Sequence, residues 1–183
     1  MPRSARSFAF AFVVVLGTAV GAHAAPVRPA APSADANIAA ADFCATADEQ
    51  ELVAYINDWR ASNGKPALRM SQTVGAAARH HAVDMANQDY FDHTGRDGSS
   101  AGDRMEAHGY PYDAFWGETI AGSASGALDA FNQFKNSPGH NDIMLNAAYT
   151  TIGVGRGDNA NTAIKWWWTV DFADQFDQAA ALC

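Results

Sequence analysis

The chain contains two cysteines, Cys44 and Cys183, and between them they enclose almost all of the sequence able to build a core. A disulfide between them would tie the entry of a domain to its final residue. Whether they form a bridge or remain free thiols depends on compartment, because disulfides persist where the surroundings are oxidising. The amino-terminal residues bear on this. Arg3 and Arg6 precede an uncharged apolar run, Phe8 to Val20, and Ala22-His23-Ala24 supplies a small-x-small pattern. This predicts a cleavable signal peptide over residues 1–24 and a secreted or periplasmic location. The rival reading, a membrane anchor, needs about 20 apolar residues, more than this run supplies, so no membrane span is expected in the mature protein. In an exported chain the even cysteine count favours the bridge, whose contribution has an upper figure on the order of 4–5 kcal/mol for a loop of this size. Neither cysteine has a second Cys or His at ligand spacing, which argues against a metal role for the pair.

Twenty acidic residues against twelve Lys and Arg give a formal charge of −8. Phosphate recognition requires clustered Lys and Arg, so nucleic acid is excluded as a partner class, and docking on an anionic membrane surface is disfavoured. Residues 25–43 are rich in Ala and Pro and poor in large apolar side chains, the composition of an extended tether. Residues 44–183 are the right length for one domain, read as a monomer.

Hydrophobic periodicity within that domain alternates between helical and strand types. Asp48 opens a helix with Leu52, Ile56 and Trp59 on one stripe, stopped at Asn63-Gly64. A second helix runs from about Thr73 to Gln88 with Val74, Ala77, Ala78, His81 and Met85 on one face. A third spans about 101–108, and a fourth about 125–136 with Leu128, Phe131 and Phe134 inward. Ser137 is placed to cap a fifth helix with Pro138 at its first position. Residues 119–121, 150–155 and 164–172 read as strands. In the last, Trp166, Trp168, Val170 and Phe172 share a face, while Lys165, Trp167, Thr169 and Asp171 take the other. Helices around a small antiparallel sheet predict an α+β fold in three α-β-α layers.

Three short stretches carry the chemistry: Phe91-Asp92-His93, Gly117-Glu118 and Ser137-Pro138-Gly139-His140. Two imidazoles and a carboxylate are a competent ligand set for zinc or a similar divalent ion, provided the fold brings them together. In order and spacing these stretches, with Gly153-Val154-Gly155 and the Trp166 to Phe172 strand, resemble the CAP superfamily over roughly residues 48–173. That superfamily includes the cysteine-rich secretory proteins, antigen 5, the plant pathogenesis-related proteins and bacterial secreted SCP-like domains. The resemblance implies a central cleft lined by histidines and acidic residues and often holding a metal ion. His93, Glu118 and His140 match the first histidine, the glutamate and the second histidine. Thr119 stands where the family has Asn. Ser137 stands where animal and plant members carry a second Glu, as in the bacterial Ser-Pro-Gly-His form.

These readings predict a secreted binding module with a cleft of His93, Glu118, Ser137 and His140. The candidate ligands are a divalent cation such as zinc, a small apolar or lipid ligand, and a cell-envelope partner. The alternative is a metal-dependent hydrolase in the same cleft with Glu118 as general base. Ser137 reads as a cap in preference to a nucleophile, and neither a Gly-x-Ser-x-Gly elbow nor a His-Glu-x-x-His helix occurs. His81 reads as a buried core histidine and His108 as a helix end. Arg104 reads as a structural salt bridge or carbonyl contact. Trp167 is the one strand aromatic considered for stacking on a ligand.

Overall fold

The computed structural model describes residues 42–183, so the expected signal peptide, and all but the last two residues of the expected tether, lie outside the described residues. In chain order the elements are β1 (Cys44–Ala45), α1 (Ala47–Ser62), β2 (Arg69–Met70), α2 (Gln72–Gln88), α3 (Ala101–Ala107), β3 (Trp116–Gly122), α4 (Ala127–Asn136), α5 (Pro138–Met144), β4 (Thr151–Asp158), β5 (Trp166–Ala173) and β6 (Ala181–Leu182). Three helices begin at hydroxyl caps. Thr46 and Ser100 form capping boxes with Glu49 and Asp103, and the Ser71 hydroxyl accepts from Val74 N–H. Asp89 ends α2 in the left-handed conformation, turning the chain out towards His93.

The main sheet has the order β2-β4-β5-β3, with β3, β5 and β4 antiparallel as expected and the two-residue edge strand β2 parallel to β4. One face carries Ile152, Val154, Trp168, Val170 and Phe172, and α1 and α4 cover it with Leu52, Ile56, Phe131 and Phe134. The other face is made approachable by Gly153, Gly155 and Gly157 on β4. A Cβ at Gly155 would stand 2.2 Å from the Arg79 Cα, so α2 lies backbone-to-backbone on the strand. That contact buries the second face as well, and the result is the α-β-α sandwich.

Three expectations are corrected by this packing. Trp167 is no ligand platform: it is fully buried under α2 and donates its Nε1–H to the Tyr90 carbonyl at 2.8 Å. Leu128 is exposed, because the inward stripe of α4 is Ala127, Ala130, Phe131 and Phe134. Phe43, counted with the tether, is buried against α2 at Gly75, so the packed unit begins before Cys44.

The cysteines are joined. β1 pairs in parallel with β6, and the Cys44–Cys183 bridge closes the two ends with Cα atoms 5.2 Å apart. Among the described residues no helix is long and apolar enough to cross a membrane.

Candidate functional site

The centre of the site is Glu118, on the edge strand β3. Pairing of β3 with β5 turns its side chain to the face under α2 and α3 and sets it directly opposite Asp171. The carboxylate is buried and both its oxygens are engaged. Oε1 accepts from His93 Nδ1–H at 2.7 Å, and Oε2 accepts from the Arg104 guanidinium at 2.5 Å. Burial pushes the Glu118 carboxyl up. The His93 hydrogen bond and the charges of Arg104, His81 and His93 outweigh it and hold the group below its ordinary range.

Arg104 reaches inward from α3 and is itself buried. Its guanidinium also donates to the carbonyls of Ser99 at 2.9 Å and His93 at 3.3 Å, fixing the loop that presents His93. The sequence suggests a salt bridge or a carbonyl contact for this residue, and it makes both. His93 itself is half-exposed. Its Nδ1–H is committed to Glu118, so the neutral ring carries its lone pair on the outward Nε2. The hydrogen bond that His93 donates to Glu118, opposed by partial burial, raises the His93 pKa.

Periodicity places Asp171 on the strand face away from the Trp168 stripe, with Lys165 for company. It is fully buried there, and neither carboxylate oxygen has a hydrogen-bond partner among the described residues. Burial, reinforced by the neighbouring Glu118 charge, holds its carboxyl well above the ordinary range. The sequence offers a signal for this environment in the glycines of β4 that admit α2, although not for the register that pairs Asp171 with Glu118.

His81 is buried, as expected. Its Nε2–H donates to the Asp92 carbonyl at 2.8 Å, which leaves Nδ1 buried without a partner among the described residues. Burial, with the charge of Arg104, lowers its pKa to about 4. An imidazole depressed this far stays neutral in the fold, so its contribution to stability is complete above its unfolded value near 6.5. It is lost as pH falls towards 4, an effect on the order of 3 kcal/mol. The stability advantage of wild type over His81→Gln, measured by urea unfolding, is therefore expected to shrink by that amount between pH 7 and pH 4. A difference that stays constant across the range would contradict this account.

His140 lies in the first turn of α5, which packs against the opposite face of β3 from Glu118, where Gly117 admits Ile143 and Tyr149. Its ring meets Phe134 edge-on at 5.5 Å. Partial burial lowers its pKa, and the charge of His93 lowers it further. Ser137 sits at the cap position, but its side chain makes no capping hydrogen bond; Pro138 starts the helix and the Ser137 carbonyl takes the Asn141 N–H. Thr119 points away from Glu118 and its buried hydroxyl is unpartnered among the described residues, so Arg104 supplies the support behind the glutamate.

Among the described residues no group of three or more His, Cys, Asp or Glu side chains stands ready to hold a metal. The donor chemistry explains why Glu118 is a poor direct ligand: a cation would have to compete with the Arg104 guanidinium for it. Glu118 instead orients the His93 ring from behind, through the His93 Nδ1–H that it accepts. The adjoining cleft encloses about 210 Å³ and is lined by His93, Thr94, Ser100, Ala101, Trp116 and Glu118.

The family model described as "CAP: Cysteine-rich secretory protein family" matches residues 53–172. The protein YkwD of Bacillus subtilis (strain 168), described as uncharacterized, is 31% identical over 127 residues, covering 69% of this chain and 47% of its own length. The crystal structure of an extracellular protein containing a SCP domain from Bacillus anthracis str. Ames has a TM-score of 0.62 at 27% identity, over 70% of this chain and 40% of that one. An outer surface protein from Borrelia burgdorferi, at 20% identity and a TM-score of 0.63, shares the fold over 70% of this chain and 92% of its own. The chain thus spans less than half the length of the two Bacillus proteins.

Proposed function

The chain belongs to the cysteine-rich secretory protein family, and from that premise we propose that it is an exported binding module that takes a divalent cation such as zinc at the edge of β3, between His93 on the cleft side of the strand and His140 on α5 at its other side. The observation that carries this reading is the His93 Nδ1–H bond to Glu118. A carboxylate behind a histidine fixes the ring and directs the second nitrogen outward, the usual arrangement behind a metal-binding imidazole. Bound there, the cation would supply Lewis acidity. A hydrolase using Glu118 as base would need a carboxylate free to accept a proton, and His93 and Arg104 occupy both oxygens, so that reading has no observation in its favour. Export is supported by the covalent closure of the chain ends and by a structural neighbour described as an extracellular protein.

Calorimetric titration of the oxidised, metal-stripped protein with Zn²⁺ tests the proposal. Saturable one-site binding at about micromolar or tighter is expected, abolished in His93→Ala/His140→Ala and retained in Ser137→Ala. Equal, weak binding by wild type and the double variant would overturn it.

A further inference from the structure

We propose that the cleft between α3 and the segment leading into β3 binds a small linear polyamine through its ammonium groups. This site goes beyond the imidazole cleft, which it adjoins at Ser100 and Trp116.

The cleft encloses about 440 Å³, within the range of small-molecule sites. Its lining combines three carboxylates, Asp103, Glu106 and Asp113, with the aromatic rings of Tyr110, Tyr112 and Trp116, and includes no Lys or Arg. The absence of counter-charge has a structural cause. The one arginine of α3, Arg104, is turned inward onto Glu118, leaving Asp103 and Glu106 on the outer side of the helix. Among the described residues no ion pair involves Glu106 or Asp113, and hydrogen bonds from Ser100 hold Asp103 below its usual range. A cleft of one sign concentrates ligands of the other.

The rings are held for contact. Tyr112 is 39% exposed and Trp116 41% exposed, both large for aromatics in a folded domain. Tyr110 is buried, donates its hydroxyl to the Gln175 carbonyl at 2.5 Å, and meets Tyr112 edge-on at 5.3 Å, so it anchors the segment. Trp116 lies over the first turn of α3, where a Cβ on Gly102 would stand 2.6 Å from its Nε1. Pre-set ring faces beside carboxylates suit an alkylammonium chain, which gains cation–π and charge-assisted hydrogen bonds together. A neutral sugar would use the rings but gain nothing from three carboxylate charges.

Titration of the oxidised protein with spermidine tests this directly. The expected result is saturable binding that weakens as salt rises from about 20 to about 200 mM. It should also weaken about tenfold in Trp116→Ala and in Glu106→Gln/Asp113→Asn. The His93→Ala/His140→Ala variant should bind spermidine like the wild type. Absent saturation, or affinity unchanged in both groove variants, would overturn the proposal. Spermidine binding lost with the two histidines would move the cation to the imidazole cleft, and binding of neutral chitotriose in place of spermidine would make the rings a sugar platform; either would also overturn it.

Discussion

Replacing Arg104 with Leu is expected to cost about 3–5 kcal/mol of folding stability at neutral pH, the size seen when one partner is removed from a buried ion pair. The Arg104 and Glu118 side chains are each only 3% exposed, so the substitution leaves a buried carboxylate with one hydrogen bond, from His93, and no arginine beside it. The carbonyls of Ser99 and His93 lose a donor at the same time, and the loop that presents His93 loosens. Removing the stranded charge should restore part of the loss: Glu118→Gln/Arg104→Leu is expected to be more stable than Arg104→Leu alone. A double-mutant cycle by urea unfolding reads the coupling. The pH dependence gives a second check. Without Arg104 the Glu118 pKa rises, so the deficit should narrow as pH falls and the carboxyl takes up a proton. A loss below about 1 kcal/mol would be the behaviour of a solvent-screened surface pair, and would show that Glu118 does not depend on Arg104.

The long helices and the central strands are legible in the sequence because each satisfies a local rule. α1 and α2 have apolar stripes, and α2 ends one residue before Asp89; β5 alternates over its whole length. Local pattern misleads where a long-range contact overrides it. Trp167, Thr169 and Asp171 form what looks like an outward face, yet all are buried, because three glycines on the adjacent strand let α2 descend onto it. That signal is present as Gly-x-Gly-x-Gly at the strand period, and only its consequence for the neighbouring strand is missing. Arg104 reads as structural, but its partner depends on how an edge strand places Glu118 beneath α3, which no sequence spacing encodes. Leu128 shows the same limit within one helix: its neighbour Ala127 takes the inward position because α4 packs against α1 through small residues and phenylalanines.

Opening the Cys44–Cys183 bridge, by reduction or by replacing both residues with Ser, is expected to lower stability by up to on the order of 4–5 kcal/mol. The sequence separation is 139, so the bridge restricts nearly the whole unfolded domain. The strands it closes are two residues each and pair only with one another, too short to hold the chain ends by hydrogen bonds alone. Their release should spread locally: β1 leads directly into the cap of α1, and Phe43 beside it fills the space at Gly75 on α2. The site is built elsewhere, from α3, β3, α5 and the loop carrying His93, and it shares no hydrogen bond with β1 or β6. Reduced protein below its unfolding midpoint should therefore bind Zn²⁺ as the oxidised protein does while melting at a markedly lower temperature. A loss under about 1 kcal/mol would mean that packing around Phe43 and Ala45 holds the ends without the bridge. Loss of binding on reduction, with the domain still folded, would mean that the closure of the chain ends reaches the cleft through α2.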